Sequence, residues 1–266
     1  MPLKHQRTFR VRNYECDAHG TIFPATLLRY MQEAAMDAST AAGYSVAWYH
    51  EHAHMWLIRE TDLAVYRWLV LDGEVTITTW VADFRRVRSR RAYELHSGGE
   101  LVARAFTDWV YLDTEAQRPV TVPESMVADF WPDGAPTDTP PREAFPTAEA
   151  IPDDRFQVAR QVAWSDLDQA EHVNNAMYLT YMTDCGAQAP DHDSLVPEPE
   201  TTAAPAPCRY RIQYREPALY GEALTVSTWA ESNGSAPARW YTVHRAADDT
   251  LLTQAHIVML DASPGR

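Results

Sequence analysis

The sequence predicts an α+β chain made of two tandem units, each an antiparallel sheet wrapped around one long helix. Three observations carry that expectation. A polar cluster just ahead of a helical pattern occurs twice, at Asp17 and at Asp168, an offset of 151 residues (168 − 17) that also sets Leu28 against Leu179, Tyr30 against Tyr181 and Glu33 against Asp184. Each helical pattern is followed by runs rich in β-branched and aromatic residues, with turn dipeptides among them. The halves are separated by residues 122–154, where composition shifts to Pro, Asp, Thr and Ala with little periodicity. The expected organisation is therefore a first unit over 1–121, a Pro-rich linker over 122–154 that drapes on the surface, and a second unit over 155–266.

In the first unit a strand is expected around Phe9 to Tyr14, then a helix from about Pro24 to Ala42. Leu27, Leu28, Met31, Ala34, Ala35 and Ala38 recur at helical spacing, Pro24 suits the first turn and Gly43 the stop. Strands follow at Trp56 to Trp68, Glu74 to Ala82, Arg88 to His96 and Leu101 to Leu112, with turns at Asp72-Gly73 and Gly98-Gly99. The second unit repeats the order. A strand spans Phe156 to Trp164 and a helix Asn175 to Gln188, followed by a Pro-rich loop from Pro190 to Pro207. Strands recur near Arg209 to Arg215, Ala223 to Glu231, Arg239 to Ala246 and Leu251 to Leu260, with turns at Asn233-Gly234 and Asp248-Asp249. Two such units pair through their sheet edges into one continuous sheet, which covers those edges. That architecture is the double hotdog. A duplicated chain supplies internally what a single unit obtains by dimerising, so a monomer or a homodimer is expected.

Composition excludes several classes. The apolar content of 45%, with nine Trp, fills a sizeable core. A net charge of −14 argues against a nucleic-acid partner. No apolar run approaches the roughly 20 residues that span a bilayer, and Met1 to Arg12 lacks the apolar core of a signal peptide. A soluble, cytoplasmic protein with no membrane partner is expected. The three cysteines, Cys16, Cys185 and Cys208, form no CxxC pair and read as small core residues, with a nucleophilic role for Cys16 or Cys185 as the sharper alternative. Arg85, Arg86, Arg88, Arg90 and Arg91 cluster within an otherwise acidic chain. They suit an acidic protein or a phosphate-bearing arm, or else a strand edge protected by charge.

The chemistry concentrates at Asp168, His172, Asn174 and Asn175. One of the asparagines caps the second helix, and a helix start offers unpaired N–H groups and the positive end of a dipole. Such a site holds a thioester carbonyl and stabilises the oxyanion that forms on attack. A carboxylate in the adjoining turn acts on water or as a nucleophile, and an imidazole relays the proton. This set needs no metal and no cofactor. His50, His52 and His54 have the spacing for three imidazoles on one strand face, a metal-binding reading with no second motif behind it.

The run Asp168-x-x-x-His172-Val173-Asn174-Asn175-x-x-Tyr178 resembles the C-terminal active-site motif of acyl-acyl-carrier-protein thioesterases. The first half is similar to their N-terminal unit at Leu27-Leu28-Arg29-Tyr30-Met31-Gln32-Glu33-Ala34-Ala35, Trp56-Leu57-Ile58-Arg59, Val75 to Trp80, Asp108 to Asp113 and Arg118-Pro119-Val120. The resemblance implies two tandem hotdog units that hydrolyse fatty acyl chains from acyl carrier protein in fatty acid biosynthesis. Asp168 and His172 are then the catalytic pair, and the acyl chain is selected largely in the first unit. Plant members carry Asn where this chain has Ala170, so Asn174 is expected to orient the site instead. A supporting Glu of the family has Gln213 or Glu216 as its nearest counterparts. Cys16-Asp17-x-x-Gly20-x-Ile22-x-Pro24 also resembles the Asp motif of single-hotdog acyl-CoA thioesterases, so Asp17 with Glu33 is a second candidate site, or else Asp17 is a vestige of the duplication that helps shape the acyl pocket. Rival readings are an acyl-CoA thioesterase, a hydroxyacyl dehydratase and a non-catalytic acyl-binding protein.

Overall fold

A computed structural model of the chain describes residues 1–190, 205–231 and 236–260. The elements run in the expected order. The first unit comprises β1 (His5–Arg10), α1 (Pro24–Ala41), α2 (Val46–Glu51), β2 (His54–Val65), β3 (Glu74–Arg85), β4 (Arg88–Ser97), β5 (Glu100–Asp113) and the short β6 (Arg118–Pro119). After α3 (Glu124–Phe130) come β7 (Phe156–Gln161), α4 (Asn175–Gln188), β8 (Cys208–Tyr214), β9 (Ala223–Ala230), β10 (Ala238–Arg245) and β11 (Leu251–Met259).

Among the described residues the strands form one eleven-stranded sheet, in the order β1-β3-β4-β5-β2-β8-β11-β10-β9-β7 with β6 against β5. The second half of that order mirrors the first, so the two units meet at β2 and β8, paired antiparallel from Glu60↔Gln213 to Val65↔Cys208. Pairing at this junction removes the edge each unit would otherwise expose. The architecture is the expected double hotdog.

Both helices lie on the same face of the sheet and touch each other. Helix α1 buries Leu27, Leu28, Met31, Ala34, Ala35 and Ala38, the stripe its spacing predicts, together with Ala25 and Tyr30. Each large apolar side chain among them contributes roughly 1.5–3 kcal/mol. Pro24 occupies the first turn, and Gly43 leaves the helix at φ 95°, a conformation that favours glycine. One apolar core runs through both units, from Phe9 and Tyr30 of the first to Tyr178, Tyr181 and Val243 of the second. Phe9 stacks on Tyr30 with ring centroids 4.3 Å apart.

The opposite face of the sheet mixes charged and aromatic side chains and carries residues from the segment between the units. Thr139 donates to the Ala82 carbonyl, Arg211 donates to the carbonyls of Glu143 and Ala144, and Phe145 packs edge-on against Trp240. At the junction Arg211 meets Glu60 at 2.6 Å, while Arg209 meets Asp62 at 2.7 Å and Glu143 at 2.8 Å. An ionic staple therefore crosses from β2 to β8 under the linking segment.

Three expectations need correction. The first strand ends at Arg10, because Asn13–Glu15 folds into a 3-10 turn closed by the Arg12 N–H on the Glu15 carboxylate. The second unit's first strand likewise gives way to a 3-10 turn at Trp164–Asp166. The three histidines share no strand face: His50 lies in α2, His52 caps it and stacks on Trp48, and His54 opens β2 against Tyr111. Helices α2 and α3 have no counterpart in the sequence reading; α3 buries Met126 and Phe130 against Tyr44, Val81 and Tyr111. Residues 191–204 of the Pro-rich loop and the Asn233-Gly234 turn lie outside the described residues.

Candidate active site

The turn between β7 and α4 is fixed from below by Asp166, a buried carboxylate that accepts from the Ala163 N–H and the Tyr181 hydroxyl. The chain then doubles back. The Asp168 N–H donates to the His172 carbonyl, the Glu171 N–H donates to the Asp168 carbonyl, and Glu171 takes φ 60° to close the turn. Asp168 and His172 consequently sit side by side ahead of the helix.

Both Asp168 oxygens are occupied. Oδ1 accepts from the Ala170 N–H at 2.9 Å and Oδ2 from the Asn174 side-chain amide at 3.1 Å. The backbone of Ala170 thus secures the carboxylate with no contribution from its side chain. His172 Nδ1 lies 3.9 Å from Asp168 Oδ1, beyond hydrogen-bond reach, and 3.2 Å from the Val173 carbonyl. Asn174 is the N-cap, its Oδ1 accepting from the Ala176 N–H at 3.0 Å. Its Nδ2 also reaches Gln32 Oε1 on α1, at 3.1 Å.

Asn175, the first residue of α4, lines a crevice between the helices and the inner face of the sheet. Leu28, Met31, Ile58 and Trp109 give that crevice an apolar wall, and Tyr93, Thr107 and Tyr214 bring hydroxyls to it. Tyr93 and Thr107 hydrogen bond to each other at 3.1 Å, and the Trp109 indole donates to Thr107.

The structure therefore brings together Asp168, His172, Asn174 and Asn175. It does not bring Gln213 or Glu216 to them. Tyr210, Ile212 and Tyr214 of β8 point into the core, so the alternating Gln213 faces the outer side, bonded to Gln254 and Arg215. Glu216 is exposed near Arg245. Nor do Asp17 and Glu33 meet. Asp17 Oδ1 accepts the N–H groups of His19 and Thr21 in its own turn, while Glu33 faces outward toward Arg7. Of the arginine cluster, Arg86 and Arg88 are exposed and Arg85 pairs with Asp83. Arg90 and Arg91 are only 5% and 7% exposed, stacked over Phe106 and Phe130. They belong to the packing, not to an open docking face.

Sequence reading missed Gln32, which was visible only as one letter of a helix, and the Asp166–Tyr181 pair. The second had a signal: Glu15 and Tyr30 hold the first unit's turn in the same way, at the same offset of 151 (166 − 15 and 181 − 30).

The cysteines are not poised as nucleophiles. Burial pushes the Cys185 thiol up to about 11 and the Cys208 thiol up to about 12, and burial with Asp17 beside it raises Cys16. Because these groups stay protonated until the pH nears their raised values, thiolate is scarce at neutral pH. Cys185 and Cys208 are expected to resist a thiol reagent at pH 7.5 until the protein unfolds, and Cys185→Ala to retain turnover. Rapid labelling of Cys185 in the native protein contradicts this.

Two family descriptions match the chain, "Acyl-ACP thioesterase N-terminal domain" over residues 2–130 and "Acyl-ACP thioesterase C-terminal domain" over residues 151–258. The chain belongs to the acyl-ACP thioesterase family. Among named relatives, an acyl-[acyl-carrier-protein] hydrolase of Cuphea viscosissima is 25% identical over 191 residues, covering 68% of this chain and 46% of its own. An oleoyl-acyl carrier protein thioesterase of Arabidopsis thaliana is 26% identical over 198 residues, covering 68% and 54%. This chain thus spans about half the length of these plant family members. Solved structures share the fold. A Lactobacillus plantarum chain described as an oleoyl thioesterase superposes with TM-score 0.82 at 20% identity, covering 98% of each chain. The 12:0-ACP thioesterase of Umbellularia californica gives 0.73 at 18% identity, covering 96% of each.

Proposed function

We propose that this thioesterase-family chain hydrolyses fatty acyl thioesters of acyl carrier protein, in fatty acid biosynthesis. The observation that carries the reading is the carboxylate of Asp168, tied through Asn174 to the start of α4, whose first residues Asn175 and Ala176 line a small, mainly apolar crevice against α1 and the sheet. Asp168 takes a proton from water as the water oxygen attacks the thioester carbon. At the helix start, Asn174 accepts the Ala176 N–H with its side chain and the Met177 N–H with its carbonyl. The Asn175 N–H has no acceptor among the described residues and is available to the developing oxyanion, a contribution of roughly 10²–10³ in rate for one such donor. Collapse expels the pantetheine thiolate, and His172 carries the proton to it. The acyl chain lies along Leu28, Met31, Ile58 and Trp109.

The exposed Arg86 and Arg88 offer a complementary face to a carrier protein with an acidic surface. Arg59 lies near them: burial first, then the like charges of Arg215 and Arg88, lower its proton affinity, with Glu216 opposing. A thiol-release assay on acyl-carrier and acyl-CoA substrates of matched chain length tests the reading. Acyl-carrier substrates are expected to be preferred, and Arg86→Glu with Arg88→Glu to lower kcat/KM on them by roughly tenfold while acyl-CoA changes little. Equal losses on both, or a preference for acyl-CoA, overturn the carrier assignment. Absence of thiol release from either overturns the hydrolytic one.

A further inference from the structure

We propose that Gln32, on the helix of the first unit, is a positioning residue for the second unit's site, acting on Asp168 through Asn174. The inference rests on the hydrolytic reading above.

The atoms identify themselves in order. The Ala176 N–H addresses one end of the Asn174 amide, which must therefore be the oxygen. The other end is the NH2, and its two protons go to Asp168 Oδ2 and to Gln32 Oε1. The Asn174 amide is thereby held from three directions, by its own helix, by the catalytic carboxylate and by the opposite unit. Remove the Gln32 oxygen and one N–H loses its acceptor. The amide can then turn away from Asp168, and the carboxylate loses its fixed partner.

The duplication supplies an internal control. At the offset of 151, Phe23 stands where Asn174 does and Thr183 stands where Gln32 does (174 − 23 and 183 − 32). Phe23 makes no capping bond, and the Thr183 hydroxyl donates to the Leu179 carbonyl of its own helix. The two helices pack against each other in both directions, yet the amide pair exists at one end only. At that end the histidine, His172, follows the aspartate by four residues, whereas the first unit's turn places His19 two residues after Asp17. Packing alone gives no reason for the asymmetry; a single working site does.

Steady-state thiol release from an acyl-carrier substrate, measured for wild type, Gln32→Met, Asn174→Ala and the double variant alongside thermal unfolding, tests this. Gln32→Met is expected to lower kcat roughly ten- to a hundredfold with KM little changed, the signature of lost alignment. The double variant is expected to be no slower than Asn174→Ala alone, because both changes break one chain of contacts. Gln32→Ala, well tolerated in a helix, serves the same cycle should the methionine variant not fold. Wild-type kcat in either Gln32 variant, or a double variant whose loss is the product of the two single losses, overturns the proposal. Wild-type protein without thiol release overturns the hydrolytic reading and this inference with it, an outcome distinct from an active enzyme indifferent to Gln32.

Discussion

Asp168→Asn is expected to lower thiol release by about 10³-fold or more while the protein stays folded, the range typical of a lost general base. The side chain keeps its shape and its place in the turn. What changes is its chemistry: an amide cannot take a proton from water at neutral pH. The substitution also has a modest structural cost that the geometry specifies. Asp168 offers one oxygen to the Ala170 N–H and the other to the Asn174 amide. Asn has a single oxygen for those two donors, so one is left facing an NH2 group, at a cost of about 1–2 kcal/mol. Circular dichroism and thermal unfolding on the assayed sample separate the two effects. A variant that unfolds only slightly earlier yet has lost turnover supports the assignment; near-normal turnover refutes it.

The second large effect concerns stability at the junction of the units. Arg211 is nearly buried, 2.6 Å from Glu60, 3.6 Å from Asp62 and 3.5 Å from Glu143. Removing one partner from a buried network leaves the others uncompensated, and Arg211→Met is expected to destabilise the fold by about 3–5 kcal/mol. The pH dependence has a definite sign. Burial raises the Glu60 carboxyl above its ordinary range even with Arg211 pulling it down. A carboxyl with a raised folded-state value binds its proton more readily folded than unfolded, so its contribution favours the fold at low pH and is lost as pH rises through that value. Without Arg211 the imbalance grows. Denaturant unfolding is therefore expected to show a larger deficit for Arg211→Met at pH 8 than at pH 5. A deficit that is absent, or larger at pH 5, contradicts the role given to the staple.

Much of the architecture was legible because it repeats. The spacing of Leu27, Leu28, Met31, Ala34 and Ala38 marked α1, and the Asn174 cap marked the start of α4, at Asn175 as expected. The order of strands after each helix gave the double hotdog. Ends of elements were less legible where a polar turn replaced a strand end: the carboxylates of Glu15 and Asp166 close 3-10 turns that no apolar pattern announces. In the candidate site, Asp168, His172 and Asn174 were legible as local neighbours. Gln213 was misplaced by a matter of parity, since one step along β8 moves a side chain to the other face of the sheet. Arg90 and Arg91 read as charge but are packed over aromatic rings. Gln32 was not legible at all, because its partner Asn174 lies 142 positions away, and only the meeting of the two helices joins them.

Both units carry an aspartate and a histidine in the same turn, yet among the described residues only Asp168 is tied to a helix cap, and its histidine follows by four residues where His19 follows Asp17 by two. The most direct measurement is thiol release by Asp17→Asn beside Asp168→Asn, on one substrate at one pH. One working site predicts that Asp17→Asn keeps turnover close to wild type while Asp168→Asn loses it. Loss of turnover in Asp17→Asn with a folded protein, and retention in Asp168→Asn, contradicts the assignment of catalysis to the second unit.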